Sequence, residues 1–148
     1  VFLMHIGLLI TPIFLVGHNV LMRERLGISL WTMPDGLADV LTIAVFVSVI
    51  FLALRRIALP EVRLMTTAYD YLLLVIAVAP FVTGFIAFHG AADYRFWIIA
   101  HVLSGEILLV AIPLTKLSHF MLFILSRYQL GMDYCIKRGG MKNKGIAW

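Results

Sequence analysis

Apolar residues run almost unbroken through four stretches of the chain, residues 1–22, 37–54, 68–88 and 96–125, and polar residues gather between them. A helix crosses the hydrocarbon of a bilayer in about 20 residues, so each stretch predicts a transmembrane helix. The fourth is longer than one crossing requires, and tilting or projecting beyond the bilayer takes up the excess. The connections are short, with no internal repeat or low-complexity segment. The pattern predicts an all-α transmembrane helix bundle of four spans over 1–130, followed by a polar, glycine-bearing tail over 131–148. Val1 already lies inside an apolar run, without an initiator Met or a basic segment before it. That is not a signal-peptide pattern, and it leaves room for one more helix upstream.

Composition agrees with the pattern. The chain is 62% hydrophobic and 14% charged, with mean hydropathy +1.00, whereas a soluble domain is about half apolar and a quarter charged. Its net charge of +4 reads as membrane topology rather than nucleic-acid binding. Eight basic residues (Arg55, Arg56, Arg63, Arg127, Lys137, Arg138, Lys142 and Lys144) fall on one side of a four-span bundle. Only Arg23, Arg25 and Arg95 fall on the other. The positive-inside rule then puts the 55–63 loop and the C-terminus in the cytoplasm. A lone cysteine, Cys135, excludes an intrachain disulfide framework and a cysteine-ligated iron–sulfur cluster. Chemistry here falls to histidine, carboxylates or a borrowed cofactor.

Four of the five histidines lie within predicted spans: His5 and His18 on the first, His101 and His119 on the fourth. On a continuous helix, the eighteen residues from His101 to His119 make five turns, one face and roughly 27 Å of rise. Because the first and fourth spans are antiparallel, His18 is level with His101 and His5 with His119. Two imidazoles at each of two depths are the axial ligands that a b-type haem needs. Gly7, Gly17, Ala100, Ser104 and Gly105 flank them and would let a flat macrocycle approach, although small residues also serve plain helix packing. Each histidine alone could simply hydrogen-bond a neighbouring helix. Four of them paired by depth favour ligation, since ionisable groups within a membrane are functional by default. Zinc is disfavoured because no nearby Cys or acid completes a tetrahedral set. His89, at the far end of the third span in "FHGAADYR", reads as an interfacial polar residue or as part of a substrate site.

These residues also carry a family resemblance. "HIGLL…IFLVGH", "RRIALPEVRLMTTAYD", the His101–His119 spacing and "SRYQL" resemble the gamma subunit of respiratory nitrate reductase. That family is a di-haem cytochrome b that passes quinol electrons to a cytoplasmic partner. The resemblance covers the chain to about Leu130, with the family's first helix upstream of Val1. It includes the membrane cytochromes of heterodisulfide-reductase-like and sulfur-metabolism complexes, so it does not fix the final acceptor. It implies two haem b groups, one on His18 and His101 and the other on His5 and His119, with iron as the bound metal. Lys116 would pair with a haem propionate or snorkel to the surface. It further implies menaquinone or ubiquinone as substrate, a cytoplasmic iron–sulfur subunit as partner, and a respiratory complex in the prokaryotic cytoplasmic (inner) membrane. In that complex the chain would oxidise quinol without acting itself on the final acceptor. The competing reading is a haem-free membrane anchor or scaffold.

Two departures from the family stand out. His5 and His18 are thirteen residues apart, longer than the family's interval by about one turn. On a regular helix that spacing separates them by about 140°, so joint ligation depends on a kink or rewinding at Pro12. The family's lysine beside the quinol pocket also lacks a counterpart, and "WTMPDGLAD" offers Asp35 and Asp39 instead. Quinol oxidation needs a proton acceptor, and Asp35, Asp39, His89 and Glu106 are the candidates toward that end. Asp39 is alternatively a helix cap. Glu106 is alternatively a protonated acid hydrogen-bonded inside the bundle.

Overall fold

The computed structural model describes residues 2–90 and 93–132, and every described element is helical. The helices are α1 (Phe2–Phe14), α2 (Val16–Leu26), α3 (Asp35–Ala58), α4 (Pro60–Leu64), α5 (Ala68–Phe88), α6 (Tyr94–Leu114) and α7 (His119–Met132). A 3₁₀ turn, Lys116–Ser118, precedes α7. The chain divides into two compact units, Val1–Leu108 and the remainder from Leu109. The predicted tail lies, beyond Met132, outside the described residues.

Three helices, α3, α5 and α6, are long and apolar enough to cross a bilayer, and α1 with α2 make a fourth span if the bent pair counts as one. The chain is a multi-pass membrane protein. At most 22% of any of the three straight spans is buried within the protein. Val40, Val47, Phe51, Val75 and Leu109, all more than half exposed, meet lipid, in which a helix satisfies its own backbone polar groups.

Local chemistry sets the ends of these helices. Extended Pro34 precedes α3, whose first turn carries Asp35 and whose last carries Arg55 and Arg56. Both charge placements complement the helix dipole. Extended Leu59 then places Pro60 at the start of α4, where a missing N–H costs nothing. A capping box opens α5: the Asp70 carboxylate accepts from the Thr67 backbone N–H at 2.8 Å, and its role is structural. Gly27, at φ +69°, closes α2 in the left-handed conformation.

The core of the first unit forms where α1 and α5 meet α3. Val45 and Met33 are fully buried, with Ala38, Leu73, Phe81 and Ala87 nearly so. Gly7 brings α1 onto α3 so closely that a Cβ there would collide with the Val45 side chain and lie 3.3 Å from the Leu41 carbonyl. Packing of α3 therefore fills the space at Gly7, and no macrocycle slot lies there.

Two of the four predicted spans are not continuous. The first bends by 50° between α1 and α2, where Leu15 is extended. Pro12 has no N–H to give and its ring crowds the carbonyl one turn back. Beyond the bend, the carbonyls of Pro12, Ile13 and Phe14 find other donors. They accept from His18 Nδ1 (2.8 Å), Asn19 Nδ2 (3.2 Å) and the Met33 backbone N–H (2.9 Å). The fourth span leaves the α-helix after Leu114: Pro113 interrupts the ladder, and extended Thr115 accepts from the Leu117 N–H at 3.1 Å. The five-turn count from His101 to His119 therefore does not apply.

Asn19 is buried and also accepts the Leu30 N–H at 3.0 Å, so one side chain ties the bend to the following loop. Asn19→Leu keeps the volume but strands the Ile13 carbonyl and the Leu30 N–H. Each buried orphan costs about 1–3 kcal/mol; both bonds are only partly buried, so the expected loss is about 2 kcal/mol, at the low end for two, read as an earlier unfolding midpoint in detergent. An unchanged midpoint would show that neither bond matters.

Candidate bis-imidazole site

His18 and His101 come together within the first unit. Their ring centroids are 5.8 Å apart and their planes lie within 14°. Each ring is half-buried and anchored in the same way. Nδ1 of His18 lies 2.8 Å from the Pro12 carbonyl, and Nδ1 of His101 lies 2.8 Å from the Pro80 carbonyl. A carbonyl only accepts, so each Nδ1 carries the hydrogen, and in the neutral ring Nε2 keeps its lone pair. Two presented Nε2 atoms with backbone-fixed Nδ1–H groups are the donor set of a histidine-ligated metal.

Each anchoring carbonyl is available for a local reason. The helix interruption at Leu15 releases that of Pro12. The Pro80 carbonyl lies one turn below Gly84, which has no side chain to cover it. A Cβ on Gly84 would stand 2.8 Å from both Cε1 and Nδ1 of His101. One turn further along α6, the Ser104 hydroxyl meets that of Thr83 at 3.2 Å and donates to the His101 carbonyl. The residues Pro80, Thr83 and Gly84 of α5 thus seat His101 and Ser104 of α6. Reading the sequence missed this seat, although a proline followed four residues later by a glycine inside a span was its signal.

Gly17 and Gly105, which flank the two histidines, have nothing within 4 Å of an added Cβ. An iron about 2 Å from each Nε2 would set the two ring centroids about 6 Å apart, close to the 5.8 Å observed. In donor type and in the distance between the rings, the residues present fit a bis-histidine haem.

The other candidates fall elsewhere. His5 is half-buried on α1, on the opposite side of the 50° bend from His18, so the 140° calculated for a straight helix does not describe the pair. His119 and Lys116 belong to the second unit. Both are exposed, and His119 Nδ1 lies 2.7 Å from the Lys116 carbonyl at the start of α7. Asp39 sits one turn inside α3, which Asp35 opens, so Asp39 is not its cap. Asp39 instead faces His89, with Oδ2 3.4 Å from Nε2. Glu106 is exposed on α6, about 140° around the helix from His101, rather than enclosed in the bundle.

Over 139 residues the chain is 54% identical to a protein of Nitratidesulfovibrio vulgaris (strain Hildenborough). The match covers 94% of this chain and 62% of the relative, so the chain spans about three-fifths of the relative's length. No family model matches the chain, and no solved structure does.

Proposed function

We propose that the chain is a membrane cytochrome b subunit. It carries electrons between a membrane quinol or quinone and a cytoplasmic iron–sulfur partner, in the manner of the nitrate reductase gamma family it resembles. One observation carries the reading: two imidazoles from separate helices, 5.8 Å apart, each with Nδ1 on a proline carbonyl. Plain packing does not require both rings to be oriented so that the same nitrogen stays available.

His18 and His101 would hold the first haem through Nε2. Their Nδ1–H bonds fix the ring orientations and raise the basicity of the ligating nitrogens. When bound, haem supplies a reversible one-electron iron couple whose potential is set by ligation and burial. His5 and His119 would hold the second haem, with Lys116 near a propionate, as the resemblance implies. The basic loop around Arg55, Arg56 and Arg63 orients the bundle with that loop in the cytoplasm. The end bearing Asp35, Asp39 and His89 then faces outward. Oxidising a quinol there releases protons outside while electrons pass inward, which separates charge without a proton pump.

Haem content tests the proposal. The purified protein should show a reduced b-type spectrum and about two haems per chain by pyridine haemochrome. A colourless, folded preparation would overturn the reading in favour of a scaffold. One haem per chain would keep the His18–His101 site and remove the one assigned to His5 and His119.

A further inference from the structure

We infer that His89 and Asp39 form the proton-accepting pair of the quinol site, an assignment that rests on the reading just given. The two residues are fifty positions apart in sequence and meet where the end of α5 passes the start of α3, with Nε2 and Oδ2 3.4 Å apart. The other ring nitrogen of His89 lies 3.0 Å from the Phe85 carbonyl. A neutral imidazole has one N–H and can serve only one of these two oxygens. A ring that has taken up a second proton can donate to both.

The pair also has the surroundings that a quinol needs. At 3.4 Å the pair is longer than the about 2.7–2.9 Å of a closed charge-assisted hydrogen bond, so Nε2 can meet a hydroxyl that approaches from the side. The ring of Phe85 lies 4.2 Å from that of His89, and the ring of Phe88 5.3 Å from it, edge-on. Phe88 is more than half exposed. An apolar wall beside a polar tip suits a flat apolar ring bearing a hydroxyl. The two side chains retain 41% and 32% of their exposure, which gives an accepted proton a path to water. His89 is five residues beyond Gly84, the seat of His101, about 7.5 Å along the axis of α5. The end of α5 thus carries the proposed proton acceptor, and its middle carries the seat of His101.

A quinol loses two electrons and two protons to become a quinone. A haem held by His18 and His101 would be the one-electron acceptor for both electrons in turn, with the iron–sulfur partner of the proposed function as their destination. At each proton loss a quinol O–H bond breaks and an N–H bond forms at His89 Nε2. The Asp39 carboxylate holds the imidazolium until water takes the proton. His89 is the catalytic residue, and Asp39 positions it.

The test is stopped-flow reduction of the haem-loaded protein by a water-soluble naphthoquinol, with dithionite as the comparison reductant. His89→Gly should slow the quinol reaction by about a hundredfold, at the low end of general-base effects, with dithionite reduction and haem content unchanged. Imidazole added to the buffer should restore much of the rate. Asp39→Asn should slow it by about tenfold, and Asp39→Glu by less. Wild-type quinol rates in haem-replete His89→Gly and Asp39→Asn overturn this inference and leave the cytochrome reading standing. A slowed His89→Gly that imidazole does not rescue also overturns it, since a structural role alone would explain the defect. A preparation without haem removes both readings together.

Discussion

His101→Ala is expected to abolish one of the two haems while leaving the helices folded. The ring supplies one of the two nitrogens facing the proposed iron, and alanine has no substitute donor. Removing it takes one donor from the Pro80 carbonyl, which accepts from Nδ1 at 2.8 Å and also from the Thr83 hydroxyl at 3.2 Å. A buried group left without any partner costs about 1–3 kcal/mol, but the Pro80 carbonyl keeps the Thr83 hydroxyl and His101 is only half-buried. The fold should therefore survive a loss that the haem site does not. His18→Ala should remove the same haem, because both rings serve one iron, and the double variant should lose no more than either single one. Pyridine haemochrome per chain gives the count, and helical circular dichroism verifies the fold. Full haem content in His101→Ala would exclude the residue as a ligand.

Gly84→Ala should remove the same haem with both histidines intact. The added methyl would stand 2.8 Å from Cε1 and Nδ1 of His101, inside any tolerable carbon contact. The backbone of α5 cannot retreat without moving Pro80, so the imidazole must shift off its carbonyl. Overpacking of this kind costs about 1–3 kcal/mol, and the misplaced Nε2 adds the loss of a ligand. Gly17→Ala and Gly105→Ala are the matched controls, since an added Cβ at either meets nothing within 4 Å. They should keep their haem. Equal haem loss in all three would trace the effect to glycine content rather than to the seat of His101.

Hydropathy made the spans legible, and α5 occupies residues 68–88 as the apolar run delimits them. The interruptions were harder to read. A proline announces a weakened helix, yet the chain departs at Leu15 and Thr115, after Pro12 and Pro113. The point of departure depends on which donors can reach the released carbonyls. Those donors include Met33, nineteen residues beyond the Phe14 carbonyl it serves, and no local pattern contains that distance. His18 and His101 could be matched by depth because two antiparallel spans impose it. The meeting of His89 with Asp39 is set by the lateral packing of α3 and α5, which one sequence does not encode in any periodicity. Gly84 was overlooked because a glycine in an apolar run is common, and its meaning depends on the ring above it.

The interruption at Leu15 bears on how this sequence can diverge. His18 is tied to the Pro12 carbonyl across six residues, so insertions or deletions within that short interval would break the anchor. Upstream of Pro12 the constraint is different in kind, because there α1 is held by its packing of Gly7 against Val45. Residues gained or lost between Gly7 and Pro12 could be absorbed as a change of helical register without moving the imidazole of His18. The distance from proline to histidine should therefore stay fixed among homologues while the distance between the two histidines drifts. An alignment anchored on Pro12 and His18 will place distant members correctly where one anchored on the histidine pair slips by a turn.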